Sequence, residues 1–394
     1  MKTVGIAIAL LILTACGNVP AKPVAAPSPG ASPAAQPTSM APSALLFAVL
    51  EARGTTNPSQ YNTVAIAGLD GLARAKTTFT PMPVPVLGCM GAILPPSAHV
   101  AAGKVYFADG HGVIRSLAID NKVTVVATFP MTSTQQMLSF AVSPDGTRIF
   151  GTLLTVPTTA FSCSGQGSGT YTFDAYYATS ATTSLSVRHE ERTTPLDIMA
   201  FTGWDSVGPF GTYPTVWASQ GGGPGSTLGV YTRIDPVTLK PTAPFADPSR
   251  CQVWDSVASG GFVCQKDLIS SEGKTVAPLS VRKADGTEVW AYNFTSTNGA
   301  FGARLAPDGR HASICCAGAG AGSAYSVIGD GAAPVQLAPG FYGEAWIDSQ
   351  IVVGSYNTNP KAQPPFDLAY VSLSSPDLAV SMGFSGLYVG TVRA

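Results

Sequence analysis

The chain has 394 residues with 22 basic and 23 acidic side chains, a formal net charge of −1, and only 11% charged residues. Nothing in that balance builds a basic face, so nucleic acid is excluded as an expected partner. Frequent Val, Ile, Tyr, Phe and Thr are punctuated by Gly, Asp and Pro. No helical apolar period lasts three turns, which points to an all-β fold.

At the N-terminus, Met1-Lys2 precedes an apolar run from Val4 to Leu13. The run is too short for a membrane-spanning helix but has the length of a signal-peptide core. It ends in Leu13-Thr14-Ala15-Cys16-Gly17, which resembles the lipobox of bacterial lipoproteins. The resemblance implies that residues 1–15 are a signal peptide, cut before Cys16, and that the Cys16 thiol and the new N-terminus are acylated. Two or three acyl chains hold a protein on a bilayer, where one alone is marginal. An ordinary secretory signal followed by a chance Cys is the competing reading. Residues 16–43 continue with Pro, Ala and Ser and one charge, Lys22. Such a segment cannot bury enough apolar surface to offset its ordering entropy, so it reads as a disordered tether. The later apolar runs, Val123 to Thr128 and Ile347 to Val353, are strand-sized. The expected location is therefore the extracytoplasmic side of a bacterial membrane, held by lipid alone. Gly17 rather than Asp after the Cys points to the outer membrane where the host has two.

Residues 44–394 read as one all-β domain. Three strands come first, Leu45–Glu51, Thr63–Gly68 and Leu72–Thr78, followed by units of four short strands at about 98–128, 136–190, 198–245, 250–292, 300–338 and 343–383. Two units share a turn: Ser143-Pro144-Asp145-Gly146 and Ala306-Pro307-Asp308-Gly309. Pro presets the first turn dihedral, Asp bonds back to the backbone, and Gly accepts a positive φ. Asp70-Gly71, Asp120-Asn121, Asp235-Pro236 and Asp285-Gly286 mark a second hairpin type. Trp204-Asp205-Ser206 and Trp254-Asp255-Ser256 fall at the first strand of successive units, and Ala345-Trp346-Ile347-Asp348 occupies the same place in a later one. A repeat of about 40–50 residues is in the range of propeller blades. The Ser-Pro-Asp-Gly turns resemble those of bacterial TolB-like and YVTN-type propellers. Leu387 to Val392 is a lone strand. Added to the first three, it completes a seventh blade and removes the open sheet edges. Rings of six or eight blades and a β-sandwich stay open as alternatives.

Six cysteines remain beside Cys16, an even number that suits disulfides in an exported protein, although fifteen pairings are possible. A hairpin turning at Ala258-Ser259-Gly260 puts Cys251 opposite Cys264 or nearly so, and predicts a bridge between them. Cys89 with Cys163 is the second predicted pair. Cys315 and Cys316 are left to bridge each other or stay as thiols. Metal-ligand spacing is missing, so no metal site and no cofactor are expected.

The usual catalytic signatures fail. Gly273-Lys274-Thr275 has Leu268 where a phosphate loop needs Gly, and no Gly-x-Ser-x-Gly or His-Glu-x-x-His occurs. In a propeller, the loop entering a blade and the loop after its second strand share one face. Long Gly- or Pro-rich stretches map there: Pro81 to Pro96, Thr155 to Gly169, Gln220 to Gly225, Ala317 to Gly322 and Asn357 to Pro365. The polar residues nearest that face form a candidate binding set of His99, Asp109, His111, Arg304 and Glu344. The expectation is a monomeric binding or scaffolding module whose partner is an envelope protein, peptide or glycan. An exported hydrolase or lyase working at the channel mouth is the alternative.

Overall fold

The structure is a computed structural model. It describes residues 45–51, 60–83, 97–155, 169–179, 182–194, 202–204, 209–212, 231–244, 252–257, 261–265, 278–283, 285–293, 301–315, 325–357, 359 and 366–393. The predicted signal, Cys16 and the predicted tether lie outside them, as do Cys89, Cys163, Cys251 and Cys316.

Among the described residues every regular element of any length is a strand. The first three are β1 (Leu46–Glu51), β2 (Thr63–Gly68) and β3 (Ala73–Thr78). Next come β4 (Ala98–Ala101), β5 (Lys104–Asp109), β6 (Val113–Leu117) and β7 (Val123–Thr128), then β8 (Gln136–Val142), β9 (Arg148–Thr155), β10 (Gly169–Thr179) and β11 (Thr182–Thr194). The middle of the chain holds β12 (Thr202–Trp204), β13 (Pro209–Thr212), β14 (Tyr231–Ile234), β15 (Pro241–Pro244), β16 (Gln252–Ser256), β17 (Phe262–Gln265), β18 (Leu279–Arg282) and β19 (Glu288–Tyr292). The last are β20 (Phe301–Leu305), β21 (His311–Cys315), β22 (Tyr325–Gly329), β23 (Val335–Gln336), β24 (Phe341–Trp346), β25 (Ile351–Tyr356), β26 (Asp367–Ser372) and β27 (Ala379–Val392).

Five consecutive groups of four, from β4–β7 to β20–β23, are antiparallel four-stranded sheets in simple order. The rest form a seven-stranded sheet, β24-β25-β26-β27-β1-β2-β3. Its pairing divides it in two. β27 follows β26 as far as Ser385, opposite Asp367, and then pairs with β1 from Gly386, opposite Glu51, to Val392, opposite Leu46. The described strands thus make seven four-stranded units. The predicted lone C-terminal strand is the second half of a longer one: β27 serves as the outermost strand of one blade and the innermost of the next.

Adjacent innermost strands lie against each other, β27 on β4, β4 on β8, β8 on β12, β16 on β20, β20 on β24 and β24 on β27. The core sits between blades. One cluster joins Ala48, Ile66 and Ala75 to Val105, Phe107 and Leu117 across two blades. Another joins Val263, Leu279 and Val281 to Ala303, Ala312 and Ile314. Strands covered on both faces show no alternation of burial: all six residues of β1 and all seven of β8 are buried, Glu51, Gln136 and Ser139 among them.

The turns follow their residue types. Asp145 Oδ1 accepts hydrogen bonds from the Ser143 hydroxyl at 2.5 Å and the Thr147 N–H at 3.0 Å, which lower its pKa to about 2. Gly146 and Gly309 close the two related turns at positive φ, donating to the carbonyls of Ser143 and Ala306. Asp70, Asp120, Asp235 and Asp285 each accept from the backbone N–H two residues on. Leu72 differs from expectation. Its N–H is held by Asp70, so it belongs to the turn, and β3 starts one residue later.

Gly354 on β25 pairs with Gly343 of β24, beside a bulge at Glu344. A Cβ on Gly354 would fall 1.8 Å from the Tyr342 carbonyl oxygen. Backbone cannot yield as a flexible side chain does, so Gly354→Ala should cost about 3 kcal/mol or more. A urea midpoint indistinguishable from that of the unaltered chain would contradict this packing.

Candidate functional site

An innermost strand has a free inner edge whose backbone groups need partners. Side chains of the neighbouring blades supply several of them. Asp255 of β16 accepts from the Leu305 N–H of β20 at 2.8 Å. Arg304 Nε of β20 donates to the Glu344 carbonyl of β24 at 3.1 Å, and Trp346 Nε1 of β24 donates back to the Arg304 carbonyl at 3.0 Å. The hydroxyls of Tyr388 and Thr391 on β27 donate to the carbonyls of Trp346 and Ile347 at 3.3 and 2.9 Å. These contacts run from blade to blade along the inner edge.

The same side chains form a charge cluster. Burial raises the pKa of Asp255, opposed by Arg304 and by the Leu305 and Ser256 N–H groups. Burial also raises Glu344, opposed by the Ser355 hydroxyl, which donates to Oε1 at 2.6 Å, and by Arg304. Glu344 acts in turn on Tyr61, whose phenol is raised first by burial and then by that carboxylate. One guanidinium therefore faces two desolvated carboxylates on the flanking strands. All three side chains keep some exposed surface, so they border the inner edge rather than sit within the inter-blade core.

The five sequence-predicted residues divide. Arg304 and Glu344 are brought together. His99 lies on the innermost strand β4, edge-on to Phe140 at 4.8 Å between ring centroids. Asp109 ends β5 and is engaged structurally. Its Oδ1 accepts from Thr80 N–H at 2.8 Å and its Oδ2 from Arg115 Nε at 2.5 Å, tying its blade to the preceding one. His111 is exposed in the loop between β5 and β6, at φ 58°. Asp255 was missed as a site residue, although the Trp-Asp pairs that open blades were its signal. Among the described residues no group of three or more His, Cys, Asp or Glu could hold a metal. Most of the long loops on this face lie outside the described residues.

Burial lowers the pKa of His99 to about 4, with a backbone hydrogen bond at Phe140 opposing. The fold thus holds a neutral imidazole, while the unfolded chain takes up a proton below about 6.5. Stability from this group is complete above pH 6.5 and is lost as pH falls to about 4, by about 3 kcal/mol in all. The His99→Gln variant should lose less of its melting temperature than the unaltered chain between pH 7 and pH 4. Parallel losses would contradict the burial of His99.

Cys264 is disulfide-bonded, with a partner outside the described side chains. Directly across from it in the hairpin is Val253, two residues from the predicted partner Cys251, which itself lies outside the described residues.

No family model and no curated protein matches the chain. Among solved structures it is similar to TolB from Acinetobacter baumannii, with 13% identity over 89% of this chain and 67% of that one and a TM-score of 0.42. It is also similar to an oligogalacturonate lyase in complex with manganese, with 9% identity, coverage of 80% and 88% and a TM-score of 0.50. The Dos1 propeller aligns at 9% identity over 87% and 83%, with a TM-score of 0.40. At such identities the likeness concerns the fold alone, and it agrees with the strand pairing: the chain is an all-β protein folded as a β-propeller.

Proposed function

We propose that this protein is an exported lipoprotein whose propeller is a binding or scaffolding module of the cell envelope. The observation that carries the reading is Leu13-Thr14-Ala15-Cys16-Gly17 at the end of a short apolar run, followed by a Pro/Ala/Ser-rich stretch to residue 43. The chain is cut before Cys16, acylated there, and held on the extracytoplasmic side, at the outer membrane where there are two. Residues 16–43 tether the propeller. The module works as a monomer without a cofactor, and its loop-rich face, with His111 on it and Arg304 and Glu344 on the inner strands behind, takes an envelope protein, peptide or glycan. Bridges from Cys251 to Cys264 and from Cys89 to Cys163 brace that face. The blade-to-blade bonding of Asp255, Arg304 and Glu344 supports a rigid binding platform, since these groups serve the ring itself.

The test is Cys16→Ala in the producing cell. The unaltered chain should sediment with membranes and take up labelled fatty acid, whereas the variant should do neither. Equal membrane association of both would overturn the anchor. A metal or cofactor carried through purification would shift the reading to an exported hydrolase or lyase.

A further inference from the structure

Several of the large apolar side chains exposed to solvent lie at one kind of position. Leu72 is 59% exposed, Ile119 47%, Val237 83% and Leu378 58%. Each sits in the hairpin joining the third and fourth strands of its blade: β2 to β3, β6 to β7, β14 to β15 and β26 to β27. Val123 and Val335, also exposed, are the first residues of two fourth strands, next to the same kind of hairpin. In an antiparallel meander these hairpins all fall on one face, opposite the loops between second and third strands. They stand at the outer circumference of the ring. Single exposed aliphatic residues are ordinary on a protein surface. Here they recur at equivalent turns of several blades and are therefore nearly coplanar.

The chain also enters the ring on this face. Leu46 pairs with Gly68, at the end of β2 beside the Asp70-Gly71-Leu72 turn. The tether segment between Cys16 and β1 therefore joins the domain on the rim that carries Leu72. We propose that this hairpin face docks on the lipid bilayer, with Leu72, Ile119, Val237 and Leu378 entering the interfacial region. A flat partner needs coplanar side chains rather than one contiguous patch, so a bilayer fits this arrangement. The contact is aliphatic rather than ionic. Asp70, Asp120 and Asp235 in the same turns are engaged by backbone N–H groups, and Asp70 also by Arg74, while Asp377 beside Leu378 is exposed, so the face has no excess of positive charge to draw it to lipid. A segment of about 30 residues as rich in Pro as this one spans at most roughly 90 Å at the polyproline rise of about 3.1 Å per residue. Confinement on that scale raises the effective concentration enough for weak contacts to be occupied. The opposite, loop-rich face then points away from the membrane toward its ligand. The orientation rests on the tethered reading above, whereas the affinity of the face for lipid does not.

The experiment separates the two. The chain from residue 16, with Cys16→Ser and an N-terminal hexahistidine tag, is held on phosphatidylcholine vesicles by a nickel-chelating lipid, so acylation plays no part. Tryptophan is introduced as Val237→Trp on the hairpin face or as Thr134→Trp, exposed on the opposite face. Brominated acyl chains should quench the added fluorescence at 237 at least several-fold more than at 134. The quenching should persist in high salt and fall when Leu72, Ile119 and Leu378 are replaced by Ser. Equal or absent quenching at the two positions on vesicles that hold the protein would overturn the proposal. So would a self-association in the absence of lipid that the Ser replacements abolish.

Discussion

Removal of residues 386–394 should open the ring and leave a chain that aggregates instead of a slightly less stable propeller. The lost segment is the innermost strand of the blade that β1 to β3 otherwise build. Without it, β1 presents a free edge of six residues that the intact fold buries completely. The Phe47–Tyr388 ring contact at 6.4 Å goes, with the bonds from Tyr388 and Thr391 to β24. The burial of Val392 between blades is lost as well. One buried side chain, Val392, two partly buried ones, Tyr388 and Val389, and several hydrogen bonds amount to on the order of 5–10 kcal/mol, comparable to the whole stability of an ordinary domain. Because blades bury their apolar faces mainly against neighbours, the damage should spread beyond the first blade. Size-exclusion chromatography and a thermal melt check this. A monomer with an unchanged midpoint would contradict the closure.

Replacing Arg304 with Met should be the most damaging single change at the inner edge. The side chain donates to the Glu344 carbonyl and supplies the positive charge facing Asp255 and Glu344, both already raised by burial. Its loss leaves two largely desolvated carboxylates without that compensation, and because all three side chains keep some exposure the cost should fall at the low end of that for breaking a buried pair, about 3 kcal/mol. In the variant both carboxyls are pushed further above their unfolded values. The folded state then binds protons at higher pH than the unfolded chain, and stability is regained as pH falls toward the unfolded carboxylate range. The deficit should therefore be larger at pH 8 than at pH 5. The Arg304→Met/Glu344→Gln pair should be more stable than the sum of its single changes predicts. Denaturant midpoints of the four proteins at both pH values give the answer. A loss below about 0.5 kcal/mol with additive singles, the size of an ordinary surface change, would remove the cluster from the account.

Much of the fold was legible because the blades are written locally. An Asp or Pro-Asp-Gly turn constrains only its own few residues, and strands covered on both faces must read as apolar runs. The boundaries of β2 and β7 and the apportioning of strands to blades followed from those two signals. Leu72 was misplaced because a side chain two residues upstream holds its N–H. The single long β27 was hidden because nothing local shows that a strand leaving β26 at Ser385 continues on β1 at Gly386.

The site was harder to read. Arg304 and Glu344 were picked as polar residues near the channel, but their contact spans 40 residues of sequence, and that of Asp255 with Leu305 spans 50. Cross-strand register places the bulges at Trp254 and Glu344. A bulge re-aims a side chain without leaving a mark in its own residue type. Asp109 shows the converse: its chemistry suggested a ligand, while the fold uses it to bind Thr80 and Arg115.

The intact mass of the protein recovered from its native membranes tests the central claim, a lipid-held propeller, most directly. The chain should begin at Cys16 and be heavier than its polypeptide by a diacylglyceryl group, with or without a third acyl chain. A chain that retains residues 1–15, or one cut elsewhere with Cys16 unmodified, would contradict it.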